Sequence, residues 1–261
     1  MDRLYWRDLW RYRDLMYFLA WRDIMVRYKQ TVIRIVWALI RPALTMLVFI
    51  VFRRLVGVES GSAPEPILVF AAVLPWQFFS AALSESSGSL VSNANLISKI
   101  YFPRLIIPFA AVFTSLVDFL ITLAILAVLM LFYKFMPGWQ FAALPLFIFL
   151  TFGLSLGLGL FLAALNVEYR DFRYVVPFIV QFGLFISPIA FTTAAVPERW
   201  RALYALNPMV GIIDGFRWCI LGAEFPLDLQ TQGLSLAVTV LFLCLGVWNF
   251  RRMERRFADV I

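Results

Sequence analysis

The chain has 261 residues, of which 62% are hydrophobic and 15% are charged, and its formal net charge is +7. Because soluble globular domains are about half apolar and about a quarter charged, this composition excludes an ordinary soluble domain and predicts an all-α, polytopic membrane protein with one transmembrane domain over residues 1–261. Histidine is absent and only Cys219 and Cys244 are present, so zinc or haem sites, disulfide frameworks and Cys–His catalysis lack most of the residues they need.

Residues 1–30 predict an amphipathic helix that lies in the membrane interface. One side carries charges at helical spacing: Arg3, Arg7, Arg11 and Asp14. The other side is aromatic and aliphatic: Leu4, Trp6, Leu9, Trp10, Tyr12 and Leu15. This pattern is typical of an interfacial helix, and a membrane anchor with no further role is the alternative. The early Arg and Asp residues lead us to expect no cleavable signal peptide.

Six later segments are apolar enough to predict transmembrane helices, each near the length of about 20 residues that a bilayer requires. They are 35–54, 66–88, 105–133, 141–165, 174–193 and 233–250. With the N-terminus inside, the cytoplasmic pieces contain 17 Lys and Arg residues and the outer pieces contain 6. Positive residues favour the cytoplasmic side, so we expect both termini there. The net charge therefore indicates topology rather than nucleic-acid binding.

Two polar segments interrupt the apolar pattern. Residues 89–104, which contain Lys99 and Arg104, predict a cytoplasmic loop between the second and third spans. Residues 195–232 are too polar to span and too apolar for a solvated loop. Pro208 suits a first helical turn and Gly222 a helix end, so this segment predicts two short re-entrant helices on the outer face. Surface helices that rest on the membrane are the alternative.

The chain lacks the residues for an energy source of its own. None of its three lysines follows a glycine, so a phosphate-binding Walker A loop is excluded, and ATP hydrolysis would require a separate subunit. The ionisable residues predicted at membrane depth are Arg41 and Asp118, with Glu85 near a span end. Asp118 needs a partner, for which Arg41 or the "SESSGS" stretch are candidates. We favour a structural ion pair over a proton relay.

Five motifs in order resemble one family. They are "WRDIMVRYKQTVIRIVWALIRP" from Trp21, "LPWQFF" with Pro75 and Trp76, the segment from Asn93 to Arg104, "NVEYRD" from Asn166, and "LNPMVGIIDGFR" with Asn207 and Pro208. Together they resemble the membrane permease subunit of ATP-binding-cassette exporters of lipid-linked polysaccharides, such as O-antigen, capsule and teichoic acid. The resemblance covers nearly the whole chain.

The resemblance implies a homodimer in the inner (plasma) membrane, paired with two cytoplasmic ATPase subunits that bind ATP and Mg²⁺. This chain would hold no cofactor and would not be an enzyme. Residues 1–30 and a short coupling helix in 89–104 would contact the ATPases. The predicted coupling residues are Arg22, Asp23, Arg27, Asn95, Lys99, Arg104, Arg170 and Asp171.

Aromatic side chains stack on sugar rings without fixing register, which suits a sliding polymer. The candidate path residues are Trp76, Phe78, Phe79, Phe182 and Phe185, with helix packing as their alternative role. The candidate outer gate comprises Asn207, Pro208, Gly211, Gly215 and Arg217. Other functions left open are a permease for drugs or unmodified lipids, an integral membrane acyl- or glycosyltransferase, and an ion-coupled transporter.

Overall fold

The computed structural model describes residues 2–29, 32–57, 63–169, 171–254 and 257. Within these ranges the chain is helical and contains no strand. The helices are α1 Asp2–Arg11, α2 Arg13–Lys29, α3 Val32–Val56, α4 Glu65–Ser92, α5 Ala94–Ile97, α6 Ile106–Phe132, α7 Leu144–Glu168, α8 Phe172–Ile186, α9 Glu198–Tyr204, α10 Pro208–Leu221 and α11 Leu229–Met253. Short 3₁₀ turns occupy Trp139–Ala143, Thr193–Ala195 and Gly222–Glu224.

Helix α4 forms the centre of the bundle. It packs against α6 and α7, and also contacts α3, α8 and α10. Its first half, "EPILVFAAVLPWQFF", is apolar on all sides, and a helix that is hydrophobic all round is one that neighbours bury. Nearly every side chain from Ile67 to Phe79 is buried accordingly.

Helices α7 and α11 approach each other to backbone contact. A Cβ atom on Gly157 would lie 2.6 Å from the Leu243 Cα, and one on Gly246 would overlap the Gly157 carbonyl oxygen. Glycine is required at both positions because any side chain would push the helices apart. Gly157, in the small-residue stretch "FGLSLGLGL" of α7, therefore serves a contact within the subunit.

Four helical segments have both the length and the hydropathy of a membrane span: Glu65–Ser92, Ile106–Phe132, Trp139–Glu168 and Leu229–Met253. They coincide with the predicted second, third, fourth and sixth spans. The protein is thus a multi-pass helical membrane protein, as its composition predicts.

The predicted first and fifth spans differ from these four. The first lies in α3, which has 25 residues but includes Arg41, Arg53 and Arg54. The fifth was expected to continue to residue 193, but α8 has 15 residues and ends at Ile186. Ser187 precedes Pro188 and adopts an extended conformation, because the residue before a proline avoids the helical region.

The two short helices predicted in 195–232 are present, and they differ in burial. Helix α10 begins at Pro208, where the Asn207 side chain accepts a hydrogen bond from the Met209 amide at 3.1 Å. It ends before Gly222, whose φ of +79° suits glycine. Helix α10 is buried against α4, α7 and α11, whereas α9 exposes Trp200 and Leu203.

Candidate functional site

The polar residues singled out by the sequence cluster at two opposite ends of the bundle. At the Lys99 end, the end of α4 and residues 93–104 meet α2, the end of α7 and the end of α11. Three contacts define it: Arg22 with Asn93, Asn166 with the Ser87 carbonyl, and Arg104 with Glu254. At the Arg217 end, the ends of α3 and α8 meet α10.

The Lys99 end presents an exposed polar and aromatic edge. The predicted coupling helix is a single turn, α5. Asn95 is exposed on this turn, and Lys99 is exposed just after it. Tyr101 is 90% exposed. Ile97, by contrast, is buried and fixes the turn to the bundle. The edge is therefore held in place from beneath while its outer side chains are free to contact another protein.

Arg104 faces the bundle rather than this edge. Its backbone amide donates to the Glu254 carboxylate at 2.8 Å, and its guanidinium donates to the Glu254 carbonyl. The Phe257 ring lies 6.0 Å from the guanidinium carbon. These contacts connect the start of α6 to the end of α11. Arg104 therefore joins two helices within the chain.

The other predicted coupling residues occupy varied positions. Arg22 pairs with Asp23 at 2.8 Å and donates to the Asn93 side chain at 3.1 Å, which brings α2 onto the end of α4. Asp171 is exposed at the start of α8. Arg170 lies outside the described residues. Contact of these residues with an ATPase stays a prediction.

Arg27, another predicted coupling residue, forms ion pairs with two other helices. Its guanidinium pairs with Asp118 of α6 at 2.5 Å and with Glu85 of α4 at 2.8 Å. Tyr28 donates a further hydrogen bond to Asp118. The hypothesis that Arg41 partners Asp118 was wrong: Arg41 is exposed, and the partner comes from α2. Glu85, which belongs to "SESSGS", shares the same arginine.

At the Arg217 end, two fully buried arginines hold three consecutive backbone carbonyls after α8. Arg217 donates to the carbonyls of Ile189 and Phe191, each at 3.1 Å. Arg53 donates to the Ala190 carbonyl between them at 3.0 Å. Both side chains are at most 1% exposed. Two helices thereby fix the turn that follows α8.

The remaining candidate gate residues pack tightly. The Asn207 amide donates to Ser187 at 3.2 Å. Gly211 donates its amide to Ser235 of α11 at 3.1 Å and accepts from Gln232 at 2.9 Å. A Cβ atom on Gly215 would overlap the Phe147 ring of α7. Helix α10 is therefore seated in a slot between α7 and α11 that admits no larger side chain at these glycines.

A polar cap begins α11 at the same end. Asp228 accepts from the Thr231 hydroxyl at 2.5 Å and from the amides of Gln230 and Thr231 at 3.2 Å. The hydroxyl contact, followed by the amides, lowers the pKa of Asp228. An ionised cap also interacts favourably with the helix dipole.

The five aromatic path candidates fall into two groups. Trp76, Phe78 and Phe79 are at most 5% exposed, and Phe78 packs on Phe119 with ring centroids 5.0 Å apart. Their contacts are helix packing, the alternative role for these residues. Phe182 and Phe185 are instead 51% and 69% exposed on α8. Only these two face outward and could contact a substrate in this arrangement.

Sequence reasoning missed two residues at these ends, Arg53 and Glu254. An arginine inside a predicted span is a signal for a buried polar contact, and Arg53 satisfied that criterion. Glu254 offered no such signal. Among the residues that the structure describes, no group of three His, Cys, Asp or Glu side chains could hold a metal ion.

The chain matches the family described as ABC-2 type transporter over residues 14–221. It is 27% identical over 257 residues to the O-antigen export system permease protein RfbA of Myxococcus xanthus, covering 98% of both chains. An RfbA permease of Klebsiella pneumoniae is 24% identical over 254 residues, with 95% of each chain covered. The inner membrane transport permease YadH of Escherichia coli K12 is 26% identical over 239 residues, covering 87% of this chain and 93% of that protein.

Proposed function

Because the chain belongs to the ABC-2 type transporter family, we propose that it is the permease subunit of an ATP-driven exporter of lipid-linked polysaccharide. The observation that carries this proposal is the near full-length similarity to O-antigen export permeases, which covers 98% of this chain. Similarity of that extent includes both ends of the bundle. The chain is accordingly a transport subunit rather than an enzyme.

The Lys99 end is the side that we propose docks the ATPase. It has an exposed edge at Asn95, Lys99 and Tyr101, and beneath that edge are contacts to α2, α7 and α11. A force applied to the edge would therefore reach several helices. This proposal places residues 93–104 and both chain termini in the cytoplasm, in agreement with the distribution of Lys and Arg.

The complete transporter would contain two copies of this chain and two ATPase subunits that supply ATP and Mg²⁺ binding. All six predicted spans would cross the membrane, with α3 and α8 as the first and fifth. Helix α10 would be a re-entrant helix, which is supported by its burial in protein, since such backbone requires protein contacts at membrane depth. The exposed Phe182 and Phe185 would line a path between the two copies.

The relation to YadH supports a second candidate, a permease of the same kind for another cargo, because the name of that protein specifies no polysaccharide. Drugs or unmodified lipids would be the cargo of this second candidate. The greater coverage by the O-antigen permeases favours polysaccharide.

Reconstitution tests the proposal. The chain would be placed in sealed vesicles with an ABC-type ATPase subunit of the same organism, and with lipid-linked polysaccharide or an unmodified lipid as cargo. We expect polysaccharide to cross only when both subunits and ATP are present. Movement of the unmodified lipid alone would favour the second candidate, and uphill movement by the isolated chain would contradict both.

A further inference from the structure

We propose that Arg27 is the joint that makes α2 move as one body with α4 and α6. Helix α2 lies beneath the edge at which the proposed function docks the ATPase, and Arg22 connects it to Asn93 there, so the inference rests on that function. Arg27 is a positioning residue: it acts by holding helices in register and needs no contact with cargo or nucleotide.

The geometry supports a joint because one guanidinium binds two helices at once. The Arg27 side chain is 14% exposed and reaches Glu85 at 2.8 Å and Asp118 at 2.5 Å. These carboxylates lie on different helices, and Tyr28 adds a hydrogen bond to Asp118. A planar guanidinium presents several donors in a fixed fork, so it can satisfy both carboxylates at a defined angle.

The two carboxylates lie well inside their helices rather than at the helix ends. Glu85 lies about two helical turns inside the end of α4, and Asp118 lies about three turns inside the start of α6. Arg27 therefore connects α2 to the interiors of two long helices rather than to the exposed loop between them. A displacement of α2 would move the bodies of α4 and α6.

Apolar packing fixes the same face of α2 and leaves the opposite face free. Leu19 and Ala20 are 3% exposed and belong to the core, and α2 contacts α6. Tyr17, Phe18 and Trp21 lie outward and are about half exposed or more. Packing alone would allow sliding along α6, because apolar contacts are not directional, whereas the paired guanidinium opposes it.

Another arginine of α2 provides a matched control. Arg13 pairs with its neighbour Asp14 at 3.7 Å, and both side chains are mostly exposed. Such a pair has little energetic value and connects no second helix. Arg13→Gln removes the same charge from the same helix without touching the joint.

The first experiment measures the joint without using export. Spin labels replace Tyr17 of α2 and Phe113 of α6, both exposed, in a chain with Cys219→Ala and Cys244→Ser. The labelled chain is assembled with its ATPase subunit and diluted with unlabelled chain, so that the distance within one subunit is read. We expect the same distance with and without ATP in the parent chain and in Arg13→Gln.

In Arg27→Gln the expected result is a label distance that changes with nucleotide. A distance that changes with ATP in the parent chain would overturn the joint, and so would a distance that stays fixed in Arg27→Gln. Arg27→Lys, which keeps the charge but loses the fork, provides a second variant if Arg27→Gln does not assemble. It should show an intermediate change, and a distance as fixed as in the parent would overturn the proposal.

The second experiment measures polysaccharide exported per ATP hydrolysed. Arg27→Gln should lower this ratio by about tenfold, within the range of coupling between two sites, with ATP hydrolysis retained. Arg13→Gln should leave it unchanged. An equal ratio in Arg27→Gln and the parent would overturn the joint. Absence of export by the parent would instead contradict the proposed function, and the label distances would still test the joint.

Discussion

The two ends of the bundle use arginine in different ways. At the Lys99 end, the side chains of Arg22 and Arg27 contact side chains outside their own helix, and their surroundings are partly exposed. At the Arg217 end, Arg53 and Arg217 are buried and donate to backbone carbonyls. Carboxylate pairs connect separate helices, whereas the carbonyl contacts fix the shape of the turn after α8. The first end is suited to connect separate helices and the second to hold one segment in place.

The largest effect should come from Arg217→Met. Removing this arginine leaves the buried Ile189 carbonyl and the part-buried Phe191 carbonyl without their charged donors, a loss of about 3 kcal/mol or more for the two hydrogen bonds together. The thermal unfolding midpoint of the purified chain, followed by tryptophan fluorescence, should fall clearly. Arg54→Met is the control at the same end, because Arg54 is 73% exposed in its pair with Glu65 and should shift the midpoint little. Equal shifts would contradict the structural role assigned to the buried Arg217.

The next effect concerns the α7–α11 contact that lies between the ends. Gly246→Ala would place a methyl group against the Gly157 carbonyl, and such overpacking costs about 1–3 kcal/mol. Gly233→Ala on the same helix meets nothing within 4 Å and serves as the control. We expect a lower unfolding midpoint only for Gly246→Ala, and a midpoint equal to that of the control would show that the helices separate without strain.

A third prediction compares two positive residues of the Lys99 end. Lys99→Glu should weaken binding of the ATPase subunit by about fivefold, near the free energy of an exposed ion pair, without changing thermal stability. Arg104→Glu should lower the unfolding midpoint, because the new carboxylate would lie beside Glu254. Binding by titration and unfolding by fluorescence check both variants. A stability loss in Lys99→Glu would mean that the edge is part of the core.

The smallest effect is a pH dependence at Asp228. Its pKa is lowered in the folded chain, chiefly by the Thr231 hydroxyl. The stabilisation is therefore present above the unfolded pKa and is lost as the pH falls through the folded value. Asp228→Asn should remove this acid-side component of the unfolding midpoint while leaving the neutral-side slope intact. An unchanged slope below about pH 4 in the variant would show that the cap does not contribute.

The sequence was sufficient to predict where most helices lie but not which residues contact one another between helices. Continuous apolar runs located α4, α6, α7 and α11, and Pro208 with Gly222 located the ends of α10. Arg27 and Asp118, however, are 91 positions apart, and Arg104 and Glu254 are 150 apart. Nothing in local spacing relates such residues, since their proximity depends on how the helices pack. Burial of Trp76 likewise follows from the central place of α4, which composition does not reveal.

The central claim is that a separate ATPase docks at the Lys99 end, and site-specific photo-cross-linking tests it most directly. A photoreactive residue would replace Tyr101 at that end, or Trp200 at the Arg217 end, in cells that also produce an ABC-type ATPase subunit of the same organism. Both positions are exposed, at 90% and 51%. We predict that the ATPase cross-links to the chain from position 101 and not from position 200. Cross-linking from position 200 alone would contradict the account.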